Sequence, residues 1–271
     1  MKHISIVVLT IVFLSTLSVF AQTENGPEGG ASAEKLAKQL ANPVASLISV
    51  PFQNNFDFGV GPLDGFRYNL NIQPVVPLSL NDKWNMISRT IIPMIAQSEV
   101  TAAGEGEFGL GDIAQSIFFS PKEVKKGLVW GVGPVFLLPT ATNNFLGADK
   151  WGIGPNAVVL KLSGQWTYVA LVNHIWSIGG SGTNDINATF FQPFITYSTK
   201  SGASYSVASE NTQSWDNEIF GGFVGAYFNQ VLKIGNQLVQ LGGGPKVYYG
   251  DNPFNPDWGL RLNMIMLFPK K

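Results

Sequence analysis

The sequence WGIGPNAVVLKLSGQWTYVALVNHIW, from Trp151 to Trp176, contains two runs of strand length joined at Ser163-Gly164-Gln165. In the second run, Trp166 and Tyr168 at one end and Trp176 at the other share one parity of a strand. A transmembrane strand needs roughly 9 to 11 residues at a tilt near 45°, and membrane barrels carry aromatic girdles at both edges of the apolar band. Ten steps of about 3.4 Å at this tilt rise about 24 Å. The stretch therefore predicts a hairpin of a membrane-embedded barrel, with Trp166, Tyr168 and Trp176 as its girdle.

Composition favours an all-β protein and argues against an ordinary cytosolic enzyme. Only 13% of the 271 residues are charged, about half the share usual in soluble domains. The 30 Gly, 19 Phe and 7 Trp favour many strands and turns. The net charge of -1, without clusters of Lys and Arg, argues against nucleic acid as a partner. Because the chain has no Cys, disulfides and thiolate metal sites are excluded.

The N-terminus predicts export. Met1-Lys2-His3 precedes an apolar run that ends at Ala21, so residues 1–21 have the pattern of a signal peptide, with a transmembrane anchor as the alternative. Residues 22–43 read as a flexible leader with a short helix from Ser32 to Leu40. Its Glu34, Lys35 and Lys38 are expected to form a solvated face, and the alternative is that the helix lies in the barrel mouth as a small plug. No later run reaches 18 uninterrupted apolar residues, so a membrane crossing requires a barrel, predicted over residues 44–271.

Twelve strand-length runs follow, and the connections between them alternate between short and long. Even-numbered runs are mostly followed by brief turns, and odd-numbered runs by longer segments rich in Gly, Asn and Asp. Bacterial outer-membrane barrels have an even number of strands, short periplasmic turns and long outer loops. The pattern predicts an antiparallel transmembrane β-barrel of about twelve strands in the outer membrane. Its runs lie near Ser46–Phe58, Phe66–Val76, Trp84–Ala96, Leu110–Phe119, Leu128–Leu138, Gly152–Leu162, Trp166–Ile178, Ala188–Ser198, Ser204–Gln213, Ile219–Val231, Leu238–Tyr249 and Gly259–Phe268.

Polar and apolar residues alternate most clearly in the second and last runs, which predicts a polar lumen opposite an apolar lipid face. Charges inside strands are costly at membrane depth and should also face the lumen, where they mark a pathway or only brace the wall. Both signs occur, so strong ion selectivity is not indicated. The candidate lumen residues are Arg67, Asn69, Asn71, Gln73, Arg89, Asp112, Lys161, Glu210, Lys246, Arg261 and Asn263.

Prolines inside the predicted runs conflict with a regular barrel. Proline lacks the N–H that a ladder needs and is normally confined to edges or bulges, and a barrel has no edge. The sequence therefore predicts bulges at Pro51, Pro93, Pro134, Pro193 and Pro245.

His174 is the one histidine after the predicted cleavage point, which excludes a metal site built from several histidines. A Ser-His lipid hydrolase needs a single histidine, so this activity stays open as an alternative. However, His174 shares the parity of the girdle aromatics, which predicts an interfacial position rather than a catalytic one. The sequence predicts no catalytic residue, no metal and no cofactor.

Several segments resemble the bacterial outer-membrane proteins grouped as "MetA-pathway of phenol degradation". The resemblance rests on LAKQLANPVASLISVPFQNNFDFG (Leu36 to Gly59), GPVFLLPTAT (Gly133 to Thr142), KWGIGPNAVVLK (Lys150 to Lys161), NHIWS (Asn173 to Ser177) and QPF (Gln192 to Phe194). It implies a transporter-like outer-membrane barrel that handles hydrophobic or aromatic compounds, and it supplies no binding residues. An apolar last run ending at Phe268 also resembles the signal read by the barrel-assembly machinery.

Together these features predict a passive channel or uptake protein for small, hydrophobic or aromatic molecules. Its expected partners are outer-membrane lipids, a small-molecule solute and the assembly machinery. A structural or adhesion barrel with a closed lumen is the third possibility.

Overall fold

The structure, a computed structural model, describes residues 30–45 and 47–268. The predicted signal peptide and most of the leader lie outside this range. Within it, no helix is both long and apolar enough to cross a bilayer.

One α-helix, one short 3-10 helix at Gly61–Leu63 and fourteen strands make up the regular structure of the described residues, and the strands belong to one sheet. Their bounds are α1 Gly30–Leu40, β1 Ile48–Val60, β2 Gly65–Ile72, β3 Val75–Ser79, β4 Trp84–Ser98, β5 Gly106–Leu110, β6 Ile113–Pro121, β7 Leu128–Leu138, β8 Lys150–Ser163, β9 Trp166–Gly180, β10 Asn187–Ser198, β11 Ala203–Ser214, β12 Ile219–Ile234, β13 Gln237–Gly250 and β14 Trp258–Phe268.

The sheet closes because the last strand pairs with the first, from Ile48 opposite Phe268 to Phe58 opposite Trp258. All the ladders are antiparallel. Closure pairs the two strands that would otherwise be the edges of the sheet, β1 and β14. The prediction of an all-β antiparallel barrel with a short N-terminal helix is confirmed.

The barrel has twelve strands among the described residues, because four of the fourteen segments are halves of two interrupted strands. β2 and β3 keep one register against β4, with Ile72 opposite Ile92 and Val75 opposite Arg89, and Pro74 separates them. β5 and β6 also both pair with β4, but one extra residue lies between them, around Gly111-Asp112. This extra residue is a bulge that redirects the chain.

The prolines are accommodated mostly without the bulges predicted for them. Across Pro134, Pro193 and Pro245 the register with both neighbouring strands stays the same, and ladder pairs are missing on one side alone. A residue inside a barrel donates its N–H to one neighbour, so a proline weakens one ladder and leaves the other intact. Pro93 differs, because it faces the extra residue at Gly111-Asp112.

The two ends of the barrel differ as predicted. Short turns such as Gly164-Gln165 close one end, and segments such as 139–149 and 251–257 form loops at the other. Gly164 adopts a φ of 59°, a left-handed conformation that suits glycine and permits the two-residue turn. The quoted hairpin forms as predicted, with β8 ending at Ser163 and β9 starting at Trp166.

Helix α1 packs inside the barrel near the short-turn end. Leu36 and Ala37 are buried against Val231 of β12 and Leu267 of β14, whose side chains point inward. Beyond the helix, Val44 joins a second apolar cluster on the inner wall of β4 and β6–β9. The remaining cluster members are Ile87, Phe118, Val129, Val158, Leu160, Val169 and Leu171. One side of the interior is therefore apolar and packed, and the polar residues gather on the other side.

Candidate functional site in the barrel lumen

Strand alternation directs a row of polar side chains from β1, β2, β13 and β14 into the barrel. Asn55 and Asp57 on β1, Lys246 on β13 and Arg261 on β14 are buried, although a barrel wall is only one strand thick. Their neighbours on the opposite parity, such as Leu260, are exposed on the outer surface. The polar residues therefore face the interior, where buried charges need partners.

An ion pair with hydrogen bonds on both sides forms the centre of this group. Lys246 Nζ lies 2.7 Å from Asp57 Oδ1 and donates to Tyr248 Oη at 2.8 Å and to Asn55 Oδ1 at 3.2 Å. Tyr248 in turn donates to the same Asp57 oxygen at 2.7 Å. These contacts satisfy the ammonium group three times, which a buried ion pair requires for stability.

A second ion pair crosses the lumen. Arg261 Nη1 lies 2.8 Å from Glu210 Oε1, although β11 and β14 are separated by β12 and β13. Gln192 of β10 donates to the same carboxylate oxygen at 3.1 Å, and Arg261 Nε donates to Asn55 Oδ1 at 2.7 Å. The pair therefore connects two strands that are not neighbours by crossing the lumen, and we call it the chord. Asn55 links it to Lys246, because its Oδ1 accepts hydrogen bonds from both Arg261 and Lys246.

Aromatic rings cover the cations of this cluster. Phe223 lies 5.0 Å from Lys246 Nζ and 5.1 Å from the Arg261 guanidinium carbon. Tyr227 lies 5.6 Å from the same guanidinium carbon. Cations at these distances are attracted to the ring faces. We call Asn55, Asp57, Glu210, Phe223, Lys246, Tyr248 and Arg261 the lumen cluster.

Two shorter chains of hydrogen bonds continue along β2 and β4. Arg67 Nε donates to Gln97 at 2.8 Å, and Gln97 donates to Glu107 at 2.9 Å. Arg89 Nη2 donates to Gln73 at 2.8 Å. Arginines, glutamines and one carboxylate thus extend the polar lining around the wall.

A cavity of about 260 Å³ opens over the lumen cluster on the long-loop side. Glu210, Phe223 and Tyr248 form part of its wall, so the cluster is accessible from that end. Its other lining residues include Phe190, Thr212, Ile219, Asn252 and Asn255. The cavity combines aromatic rings with hydrogen-bonding groups.

An apolar groove of about 640 Å³ lies in the wall where the ladder between β12 and β13 is interrupted. Outward residues such as Phe228 and Pro245 line it together with inward Tyr227 and Ser206. The Tyr227 hydroxyl is buried and has no hydrogen-bond partner among the described residues.

Two predicted lumen residues lie elsewhere. Lys161 is exposed on the outer surface, and its Nζ donates to the Lys126 carbonyl in a short turn. Lys161 lies near the end of β8, where a lysine on the outer face extends its ammonium group past the apolar wall to the polar turn. Asp112 lies in the bulge between β5 and β6, where it accepts the N–H groups of Thr140, Ala141 and Ala148. It holds the loop after β7 through these three hydrogen bonds.

The other candidates lie on the inner face, with varying contacts. The main-chain carbonyl oxygen of Asn69 accepts a hydrogen bond from the side-chain amide of Asn55 at 3.1 Å. Asn71 lies opposite Gln53 on β1. Asn263 donates to Asn229 at a long 3.4 Å, and its oxygen is buried without a partner among the described residues.

Sequence reasoning missed several residues of the site: Asn55, Asp57, Gln97, Glu107, Gln192 and Tyr248. Asp57 shares the parity of Asn55 and Gln53, which is a detectable signal. The signal is weak because Asn54, on the opposite parity, is also polar and bonds Tyr68 on the outer face.

The aromatics predicted as a girdle are exposed on the outer surface, at 45% for Trp166, 43% for Tyr168 and 47% for Trp176. The other tryptophans also lie near the strand ends. Trp84 and Trp130 accompany Trp166 at the short-turn end, and the long-loop end carries Trp151, Trp176, Trp215 and Trp258. Bands of tryptophan at two heights match the edges of an apolar membrane layer.

His174 has contacts that do not form a hydrolase triad. Its Nδ1 lies 2.8 Å from Thr189 Oγ1, which also accepts from the Trp215 indole, and its ring packs on Trp176. Its Nε2 is buried with no partner among the described residues. A triad needs a carboxylate or amide that orients the histidine toward a nucleophile, and no such group appears in these contacts.

The fold of the chain resembles that of several solved structures. The solved structures that resemble it include a COG4313 outer membrane channel from Pseudomonas putida F1, at 15% identity and a TM-score of 0.66, with 91% of this chain and 100% of that chain covered. They also include the NanC porin, at 8% identity and a TM-score of 0.50, with 82% of this chain and 100% of that one covered. No protein-family model matches the sequence, and no curated protein matches it. The likeness concerns the fold, and it is consistent with the family resemblance noted above.

Proposed function

We propose that the chain is a β-barrel channel of the bacterial outer membrane through which small molecules pass without energy input. The lumen cluster carries this proposal. A barrel that served only as a scaffold would be more stable with an apolar interior, because buried ion pairs add little net stability. Here charged and aromatic groups line a cavity that opens to the long-loop end. The likeness to the folds of an outer membrane channel and a porin supports the same class.

The solute class that we propose is small and at least partly apolar, such as an aromatic ring with a polar substituent. Phe190 and Phe223 in the cavity offer ring contacts, while Glu210 and Tyr248 offer hydrogen bonds. The apolar groove in the wall favours the same class. The lumen carries cations and anions in comparable number, so we expect weak ion selectivity.

Solute passage can be tested by swelling of proteoliposomes and by conductance in planar bilayers. We expect solutes of small size to enter, and we expect Glu210→Gln to change the conductance because it removes the anion of the chord. Lys200→Gln is the matched control, since Lys200 is exposed in the turn between β10 and β11 and is expected to leave the conductance unchanged. A folded, membrane-inserted barrel that is impermeable to every solute tried would refute the channel and favour the structural barrel with a closed lumen.

Location is tested separately, by recovery in the outer-membrane fraction and by heat-modifiable migration on a gel. Recovery as a soluble periplasmic protein would refute the membrane assignment.

For the hydrolase alternative, wild type and His174→Ala are compared on phospholipid substrate. We expect neither to release fatty acid, and release by wild type alone would establish the enzyme.

A further inference from the structure

The exposed position of Lys161 reveals a basic patch on the outer surface at the short-turn end. Lys161 lies in register with Leu128 of β7 and with Tyr168 of β9, so its side chain emerges between two exposed apolar or aromatic residues. Its Nζ donates to the Lys126 carbonyl, which holds the ammonium group against the turn between β6 and β7. The lysine therefore lies at the boundary between the apolar wall and the polar turn.

The same turn supplies further lysines. Lys122 Nζ donates to Ser79 Oγ at 2.6 Å, and Lys126 in the same turn is exposed. Lys125 is paired with Glu123 at 3.6 Å, and both side chains are largely exposed. Lys122, Lys126 and Lys161 form no ion pair with any of the described residues. Their positive charge is therefore available to an anion.

Apolar and aromatic surface adjoins these lysines on the side of the barrel wall. Trp130 packs edge-on against Trp84 at 5.8 Å, and Trp166 stacks with Tyr168. Leu128, Trp130 and Tyr168 are 38 to 44% exposed. A ligand that fits this surface needs an anionic group at the turn and apolar chains along the wall. A free phosphate ion or a nucleic acid would leave the apolar part uncovered.

The opposite end of the barrel has the opposite charge. Its connecting segments carry carboxylates and no Lys or Arg among the described loop residues, with Asp64, Glu99, Glu105, Asp149, Asp185, Asp216, Glu218, Asp251 and Asp257 as the main examples. Basic charge is thus concentrated at the end where short turns meet the inner leaflet in a bacterial outer-membrane barrel. Anionic phospholipids attract basic residues near a membrane surface.

We propose that the lysine–aromatic patch formed by Lys122, Lys126, Lys161, Leu128, Trp130 and Tyr168 binds the phosphate headgroup of an anionic phospholipid. Lys161 and Lys126 contact the phosphate, and the acyl chains lie along Leu128 and Trp130. This proposal rests on the membrane location proposed above. It does not depend on solute passage, because the patch lies outside the lumen.

Lipid binding is measured by native mass spectrometry of the full-length barrel in neutral detergent, with phosphatidylglycerol or phosphatidylcholine added at equal concentration. We expect wild type to retain phosphatidylglycerol preferentially. Lys161→Gln should weaken this retention about fivefold, which corresponds to about 1 kcal/mol for one lysine near a lipid surface. Lys122→Gln combined with Lys161→Gln should weaken it further.

Lys233→Gln is the matched control, because Lys233 is an exposed lysine near the short-turn end of β12, away from the patch. We expect it to bind phosphatidylglycerol as wild type does. Equal binding by Lys161→Gln and wild type would overturn the proposal, as would an equal loss in Lys233→Gln, since that result indicates nonspecific charge. Heat-modifiable migration confirms that each variant is folded. If only the channel proposal is wrong, vesicles that contain the barrel stay impermeable to solutes, while the barrel still prefers phosphatidylglycerol.

Discussion

Replacement of Arg261 by Met should destabilise the barrel strongly because it breaks the chord across the lumen. The Arg261 side chain is 6% exposed and its partner Glu210 is 20% exposed. Removal of one partner from a buried ion pair costs about 3 to 5 kcal/mol, because the other charge stays buried without compensation. Glu210 keeps its hydrogen bond from Gln192 and borders a cavity, so we expect the lower end, about 3 kcal/mol.

The assay is urea unfolding of the barrel refolded in lipid vesicles, followed by tryptophan fluorescence. With a slope of about 2 kcal/mol per molar urea, the expected loss lowers the midpoint by about 1.5 M. The double variant Arg261→Met with Glu210→Met removes both charges and should recover to within about 1 kcal/mol of wild type, because apolar residues of similar volume often replace buried pairs without loss. Lys125→Met is the control, since its ion pair with Glu123 is exposed and contributes little.

Two results would refute this reasoning. One is an Arg261→Met midpoint indistinguishable from that of Lys125→Met. The other is a double variant that is no more stable than the single one, which would mean that Arg261 acts through packing or through Asn55 rather than through the charge of Glu210.

Three further predictions concern the wall and the loops. Gly154→Ala should destabilise the β8–β9 ladder by about 1 to 3 kcal/mol, because a Cβ at this position would lie 1.7 Å from a carbonyl oxygen of β9. Gly179→Ala is the control, since a Cβ there meets nothing within 4 Å, and it should be nearly neutral in the same unfolding assay. Asp112→Ala should release the loop after β7, measured as faster proteolysis within residues 139–149 while the unfolding midpoint changes little; unchanged cleavage would contradict the bracing role. In the loop after β9, the hydrogen bond from Lys150 lowers the pKa of Asp185, so this link is complete above the ordinary aspartate pKa of about 3.9 and is lost as the pH falls through the lower folded value. Lys150→Met should return the pKa toward its ordinary value in a carboxyl NMR titration, and an unmoved pKa would show that the link is absent.

The sequence by itself determined the barrel and most of its strand positions. The alternation of polar and apolar residues from Arg67 to Gln73 and around Arg261 and Asn263 was visible in the sequence, because a strand exposes alternate residues to opposite faces whatever lies across the lumen. The positions of the tryptophans near strand ends and the short turns could also be predicted from the sequence, because both depend on local residue type and spacing.

Only the tertiary structure decided which residues meet on the apolar side of the interior and which meet on its polar side. The pairing of Arg261 with Glu210 joins strands that are not neighbours, so it depends on how the closed sheet curves and staggers, which no local pattern encodes. The packing of α1 against Val231 and Leu267 likewise requires the inner wall to exist first. Lys161 and Asp112 were misplaced because their faces depend on the end of a strand and on a bulge. Local periodicity assigns a residue to a face, and closure of the barrel determines which groups that face meets.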